Sequence, residues 1–123
     1  MIGFTGTREG MNEAEESQCA LMLGVLYHQT AENLFCYGTH QKKKLLADER
    51  AAHIAKQLGY ELVPFDADTG TELERNRQIV SVSMVLLAAP LRDKEEQRSG
   101  TWATVRYMRA VGKPVVMLSR GNR

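Results

Sequence analysis

A strand–loop–helix–strand pattern near the C-terminal end constrains this chain more than any other feature. An apolar run over Met84–Pro90 predicts a buried strand, and a helical pattern over Val105–Val111 leads to a second apolar run over Val115–Leu118. Arg98–Thr104 lies between the first strand and the helix. In such a βαβ unit the helix begins at the carboxyl end of the sheet, where ligands bind. Because unpaired N–H groups at a helix start favour an anion, we predict a phosphate site there.

The rest of the chain repeats this alternation of strand and helix. Because strands alternate with helices, we predict an α/β fold: a Rossmann-like three-layer sandwich with a mostly parallel five-stranded sheet. The length of 123 residues predicts a single domain over residues 1–123. The earlier predicted elements are strands over Met1–Thr5, Asn33–Tyr37 and Glu61–Phe65, helices from the Asn12 cap to Gln29 and over Leu45–Leu58, and a short helix over Glu72–Ile79. The remaining predictions are a loop over Asp66–Gly70 and a polar tail over Ser119–Arg123.

Charge, cysteines and apolar length limit the class of protein. The formal net charge of +1 disfavours nucleic acid as a partner, because such proteins depend on basic contacts to phosphates. Cys19 and Cys36 lie in apolar segments, which predicts two buried free thiols and a cytoplasmic location. The longest apolar stretch, Cys19–Tyr27, is too short to span a bilayer. It is apolar nearly all round, so it lies inside the fold or at an interface, and we expect a homodimer or larger homo-oligomer.

Two loops at the carboxyl ends of early strands carry candidate ligand groups. Gly6, Thr7 and Arg8 follow the first strand, where they either approach a phosphate or form an ordinary strand-to-helix turn. Gly38 opens a basic loop that reaches Lys42–Lys44, which either holds an anion or is simply solvated. No ligand set accompanies His40 at metal-binding spacing, so we predict neither a metal nor a cofactor.

The loop before the last helix carries the largest group of candidates. Ser99, Thr101 and the N–H groups beyond Gly100 predict an anion nest. Trp102 either stacks on a base or packs in the core. Earlier in the chain, the neighbouring residues Asn76 and Arg77 either reach the ligand or form a surface salt bridge. The predicted ligand-binding residues are Gly6, Thr7, Arg8, Gly38, Lys42, Asn76, Arg77, Arg98, Ser99, Gly100, Thr101, Trp102 and Thr104.

Four segments together resemble the small stand-alone members of the SLOG superfamily: Gly3–Arg8, the Asn76-Arg77 pair, the Ala89-Pro90 strand end and Arg98–Thr104. That superfamily includes the LOG cytokinin-activating phosphoribohydrolases, the DNA-processing protein DprA and the ligand-sensing domain of a Thoeris defence effector. Small proteins of this kind occur in phages. The resemblance covers essentially the whole chain and implies a Rossmann-like fold that binds nucleotides or their derivatives.

The chain departs from the LOG motif P-G-G-x-G-T-x-x-E at the position of its catalytic Glu. Gly100-Thr101 aligns with the G-T of that motif, and the Glu position is Thr104. A threonine hydroxyl cannot act as that acid or stabilise an oxocarbenium ion by charge. This departure from the family's motif argues against hydrolysis by the LOG mechanism and favours a site that holds its ligand without catalysis.

Two hypotheses of different class follow. The first is a non-catalytic binder of a phosphate-bearing nucleotide derivative, such as a phage sponge that sequesters a cyclic ADP-ribose-type or cyclic nucleotide immune signal in the host cytoplasm. The alternative is a nucleotide N-glycosidase, either LOG-like or deoxyribosyltransferase-like, which needs a carboxylate in the crevice. Glu9, Asp48, Glu72 and Asp93 are the candidates for that carboxylate. The dipole of the second helix gives Asp48 a sufficient structural explanation.

Overall fold

The structure is a computed structural model, and it describes residues 1–67 and 71–121. Parts of the predicted Asp66–Gly70 loop and Ser119–Arg123 tail, at 68–70 and 122–123, lie outside the described residues. Five strands alternate with four helices along the described chain. The elements are β1 (Ile2–Gly6), α1 (Glu13–Thr30), β2 (Leu34–Thr39), α2 (Leu46–Gln57), β3 (Glu61–Asp66), α3 (Glu72–Val82), β4 (Val85–Ala89), α4 (Gly100–Ala110) and β5 (Val115–Met117).

The five strands form one parallel sheet in the order β3-β2-β1-β4-β5. The predicted α/β class and Rossmann-like architecture are therefore confirmed. The strand order reverses between β1 and β4, so the connections leave these two neighbouring strands in opposite directions along the sheet. In a parallel α/β sheet this switch point opens a crevice at the carboxyl ends of the strands.

Helices cover both faces of the sheet because its strands are apolar on both sides. In β4, Val85, Leu87 and Ala89 belong to one hydrophobic cluster with residues of α1 and α2. Leu86 and Ala88 point the other way and pack with residues of α3 and α4. A strand that is buried on both faces has apolar residues at every position, so its sequence is a continuous apolar run. This is why the position of β4 could be predicted from the sequence.

β2 and α3 end two and three residues later than the sequence predicted, and the longer β2 shortens the loop next to the crevice. β2 extends through Gly38 and Thr39, because these residues pair with Phe65 and Asp66 of β3. The predicted basic loop is therefore shorter at its start. The predicted short third helix continues to Val82, which makes α3 an 11-residue element.

Local predictions at the first helix and the cysteines are confirmed. The Asn12 side chain accepts a hydrogen bond from the Glu15 N–H, and Glu15 Oε1 accepts one from the Asn12 N–H, both at 2.9 Å. This reciprocal capping box fixes the start of α1. Cys19 and Cys36 are free and buried. No helix in the ranges 1–67 and 71–121 is long and apolar enough to cross a membrane.

Candidate functional site

A cavity of about 490 Å³ lies at the switch point, between the loops that follow β1 and β4. This volume is in the range of pockets that hold a small organic ligand. The cavity brings together eight of the predicted residues, namely Gly6, Thr7, Arg8, Asn76, Arg98, Ser99, Gly100 and Thr101. It also contains residues that were not predicted as ligand groups, namely Thr5, Glu9, Leu45, Asp48, Glu72, Arg75, Leu91 and Glu96.

The start of α4 is open toward this cavity. Ser99 is the N-cap, and its Oγ accepts a hydrogen bond from the Trp102 N–H at 3.2 Å. No acceptor among residues 1–67 and 71–121 reaches the N–H groups of Gly100 and Thr101. The first turn of α4 carries no acidic residue, whereas those of α1, α2 and α3 do. The partial positive charge of this helix end is therefore available to an anion in the cavity.

Arg75 places a buried cation on the wall of the same cavity. The residue is only 7% exposed. Its Nε donates to Asn76 Oδ1 and its Nη1 donates to the Thr39 carbonyl, both at 2.9 Å. A guanidinium has five N–H donors, so these two bonds leave donors for a ligand. None of the carboxylates that line the cavity, namely Glu9, Asp48, Glu72 and Glu96, forms an ion pair with Arg75 within 4.0 Å, although the Arg75 charge lowers the pKa of Asp48 and Glu72 from a longer distance.

Gly38 allows Arg75 to reach this position. A Cβ on Gly38 would overlap the Arg75 guanidinium, so only glycine leaves room for it. The predicted role of Gly38 was direct contact with the ligand, yet this glycine does not line the cavity. It supports the cavity by holding two side chains that do, Arg75 and Asp48.

Asp48 is a buried carboxyl group on the opposite side of Gly38. It is 4% exposed, it lines the cavity, and its Oδ2 accepts a hydrogen bond from the Gly38 N–H at 3.1 Å. Burial raises the pKa of this carboxyl to about 7, against the opposing effects of the N–H groups of Gly38 and Gly6 and of the nearby Arg75 charge. The helix-dipole explanation of Asp48 is therefore incomplete, because a buried carboxyl with a pKa near neutrality is typical of functional sites.

Glu72 connects the cavity to the basic loop. Its Oε1 lies 3.0 Å from Lys43 Nζ, and this hydrogen bond is the main cause of the lowered pKa of Glu72. The neighbouring Lys42 is exposed and does not line the cavity, and its backbone N–H donates to His40 Nδ1 at 3.0 Å. The lysines of Lys42–Lys44 therefore do not line the cavity. Lys43 contacts the cavity residue Glu72, and this is how the basic loop is linked to the site.

Three other predicted residues lie away from the cavity. Arg77 is on the exposed face of α3, where it donates to the Tyr107 hydroxyl at 2.6 Å and stacks over that ring at 4.9 Å. The Trp102 indole is buried in the cluster between α4 and the sheet, and its Nε1 donates to the Arg92 carbonyl at 3.2 Å. Thr104 is fully buried, and its hydroxyl bonds back to the Gly100 carbonyl at 2.9 Å.

The sequence does contain a signal for the two groups that it did not assign to ligand binding, Arg75 and Asp48. Arg75 precedes the buried Ile79 by four residues in α3, and Asp48 precedes the buried Ala51 by three in α2. Residues at these spacings share one helix face. A charged residue in line with the core face of a helix is costly unless it has a partner or a function, and that pattern marks both positions.

Comparison with known proteins supports the fold. No protein-family model and no curated protein matches the sequence. The structure is similar to that of a universal stress protein from Archaeoglobus fulgidus, with a TM-score of 0.56, 12% sequence identity and coverage of 96% of this chain and 97% of that one. It is also similar to TM1055, a structural genomics target, with a TM-score of 0.55, 15% identity and coverage of 93% and 71%. At these identities the similarity shows a shared α/β fold.

Proposed function

We propose that this protein binds a nucleotide-derived ligand through its phosphate and does not turn it over. The observation that carries the proposal is the Arg75 guanidinium, which is 7% exposed, lines the cavity and forms no ion pair within 4.0 Å with any carboxylate that lines the same cavity. A buried charge is costly unless a counter-charge reaches it. A phosphate at the start of α4 supplies that charge, and it also meets the N–H groups of Gly100 and Thr101.

The resemblance to small SLOG proteins gives this binder a biological setting. It predicts that the ligand is a cyclic ADP-ribose-type or cyclic nucleotide immune signal, which a phage-encoded sponge sequesters in the host cytoplasm. A sponge needs a dissociation constant in the nanomolar range, or about −12 kcal/mol. One helix end does not supply that free energy, so the arginines of the cavity, Arg8, Arg75 and Arg98, have to contribute.

Ligand release after heating tests the proposal. The protein is incubated with cyclic ADP-ribose isomers, cyclic di- and trinucleotides and AMP-type nucleotides, separated from free ligand, heat-denatured, and the supernatant is analysed by mass spectrometry. Intact ligand in stoichiometric amount supports binding without catalysis. No recovery of any nucleotide, together with no calorimetric binding, contradicts the proposal.

Two arginines in the same helix provide a matched pair of variants. Arg75→Ala removes a charged hydrogen bond to phosphate and should weaken binding by about 1.5–3 kcal/mol. Arg77→Ala removes the same charge from a residue that faces Tyr107, and it should leave the affinity unchanged. Arg98→Ala also removes an arginine that lines the cavity, and it should also weaken binding. Because Arg98 is exposed, this substitution does not remove a buried charge from the fold. Far-UV circular dichroism checks that each variant is folded.

The alternative enzyme has two observations in its favour. Three of the four candidate carboxylates, Glu9, Asp48 and Glu72, line the cavity. Asp48 has a pKa of about 7, which suits a general acid at neutral pH. A nucleotide N-glycosidase releases free base and ribose phosphate in the same heating experiment, and the amounts exceed the protein concentration. Catalytic release that disappears in Asp48→Asn would favour the enzyme over the binder.

The predicted homo-oligomer has a candidate interface on α1. Leu21 is 67% exposed and Val25 is 37% exposed on the same side of this helix. Gly24 lies between them, and a Cβ there would meet no atom of residues 1–67 and 71–121 within 4 Å. We propose that a second copy of the chain covers this apolar side, because exposed apolar area of this kind marks interaction sites.

A further inference from the structure

The cavity offers donors on one wall and an acceptor on another, and this division limits what the ligand can be. The start of α4 and the Arg75 guanidinium present N–H donors, whereas Asp48 presents a carboxyl group. In total three arginines and four carboxylates line the cavity. This balance does not suit a ligand that carries several phosphates and nothing else. It suits a phosphate joined to a group that donates hydrogen bonds.

Asp48 is held in place as an acceptor by the chain itself. The Gly38 N–H donates to its Oδ2 at 3.1 Å, and the Gly6 N–H also acts on this carboxyl. These contacts come from two neighbouring strands, so the group cannot turn away from the cavity without losing them. A carboxylate fixed in this way repels a phosphate but accepts a hydrogen bond from a hydroxyl. The phosphate therefore lies toward α4, and Asp48 faces another part of the ligand.

Asn76 supplies the complementary donor. Its Oδ1 accepts from Arg75 Nε, which fixes the orientation of the amide, because the reverse orientation would place two donors together. Its Nδ2 makes no hydrogen bond to the described residues, and Asn76 lines the cavity. A hydroxyl donates one hydrogen bond and accepts others. The Asp48 acceptor and the Asn76 amide, which has no acceptor among residues 1–67 and 71–121, are the groups in this cavity that recognise a hydroxyl.

We propose that Asp48 is a specificity-determining residue that accepts a hydrogen bond from a ribose hydroxyl, so that the ligand is a ribonucleotide and not a deoxyribonucleotide. This inference rests on the proposed phosphate site at Arg75 and α4. It adds the part of the ligand next to the phosphate, since in a nucleotide the ribose carries the phosphate directly.

Calorimetry with defined nucleotides tests the inference. The probes are 5′-AMP and 5′-GMP, each with its 2′-deoxy and 3′-deoxy counterpart, at pH 8, where the Asp48 carboxyl is charged because its pKa is about 7. For the wild-type protein we expect at least one deoxy counterpart to bind about 10-fold or more weakly than the ribonucleotide. This wild-type comparison needs no variant that has to fold.

A neighbouring pair of residues on α2 provides the matched variants. Asp48→Asn should remove most of the preference for ribose, while Glu49→Gln, which removes one negative charge from an exposed residue outside the cavity, should keep it. Equal affinity of wild-type protein for ribo- and deoxynucleotides overturns the inference and leaves the proposed phosphate site intact. A preference for ribose that survives Asp48→Asn overturns the role of Asp48. Failure of every probe to bind overturns the inference, and the heating experiment then decides whether the proposed function also fails.

Discussion

Asp48 and Arg75 meet at Gly38 from opposite sides of the sheet. Asp48, at the start of α2, accepts a hydrogen bond from the Gly38 N–H at 3.1 Å, and the Arg75 guanidinium of α3 fills the space where a Cβ of residue 38 would lie. Both side chains are more than nine-tenths buried, and both line the cavity at the switch point. One glycine thus holds an anionic and a cationic group of the candidate site together without an ion pair between them.

This relationship predicts that Gly38→Ala disrupts the site more than the fold. The new methyl group overlaps the end of the Arg75 side chain, which is flexible enough to move, so the guanidinium has to leave its place against Gly38 on the cavity wall. We expect nucleotide affinity to fall by about as much as in Arg75→Ala, that is by about 1.5–3 kcal/mol. Isothermal titration calorimetry measures the loss, and urea unfolding measures the change in stability.

Gly24→Ala is the control for this substitution. A Cβ at position 24 meets no atom of the described residues of its own chain within 4 Å, and the position lies inside α1, no residue of which lines the cavity. Alanine in place of glycine inside a helix stabilises it by about 0.5–1 kcal/mol. Nucleotide affinity should not change. If Gly38→Ala bound nucleotide as tightly as this control, Arg75 would not depend on the glycine.

The buried Asp48 carboxyl predicts that stability falls as the pH rises toward neutrality. Its pKa is raised from 3.8 to about 7 in the folded protein, mainly by burial. Between these two values the unfolded chain has lost the proton and the folded protein retains it, so the unfolded state binds fewer protons and the free energy of unfolding decreases with pH. Between pH 5 and pH 8 the expected decrease from this group is about 2–3 kcal/mol.

Asp48→Asn isolates this contribution, because the amide does not titrate. Urea unfolding measures the free energy of unfolding at pH 5 and at pH 8. Its decrease between these two pH values should be about 2–3 kcal/mol smaller in Asp48→Asn than in the wild type. Glu49→Gln, at an exposed neighbour on α2, should behave as the wild type. Parallel pH dependence of wild type and Asp48→Asn would show that the carboxyl is already ionised at pH 5.

The sequence predicted the fold closely because the sheet has helices on both faces. A strand buried on both sides, such as β4, is a continuous apolar run and cannot be mistaken for a surface strand. The capping box at the start of α1 is also a local signal, because Asn12 and Glu15 are three residues apart and form two hydrogen bonds with each other. Fold class, the start of α1 and the position of the crevice followed from such short-range patterns.

The candidate site was harder to predict because its key contacts join distant parts of the chain. Arg75 and Arg77 have the same side chain, and the four-residue spacing from Arg75 to Ile79 is the one local signal that separates them. The structure places Arg75 in the cavity and Arg77 against Tyr107. Trp102 presented a similar choice between stacking and packing, and its position on the inner face of α4 buries it. Which charged residue points inward depends on helix phase, and phase is settled by tertiary packing.

The N-cap of α4 predicts a stability cost that accompanies a loss of binding. Ser99→Ala removes the acceptor for the Trp102 N–H and should lower the free energy of unfolding by about 0.5–2 kcal/mol. It should also weaken nucleotide binding, because the start of α4 is part of the cavity wall. Ser17→Ala, at an exposed position within α1, is the control: it should leave nucleotide binding unchanged, and it should not lower the free energy of unfolding, because alanine is the better helix former. Urea unfolding and calorimetry on the same samples distinguish the two effects.

The exposed side of α1 predicts a change of oligomeric state. Leu21→Lys places a charge on the side of α1 that we propose a second copy of the chain covers, so the homo-oligomer should dissociate to monomers. Size-exclusion chromatography with light scattering measures the mass directly. Val111→Lys alters an apolar residue that is 58% exposed at the end of α4, outside the proposed interface, and it should keep the wild-type mass. A monomeric wild-type protein at micromolar concentration would contradict the proposed interface.

The same variant shows whether a second subunit completes the nucleotide site. No residue of α1 lines the cavity, so monomeric Leu21→Lys should bind nucleotide as tightly as the wild type unless a second subunit completes the site.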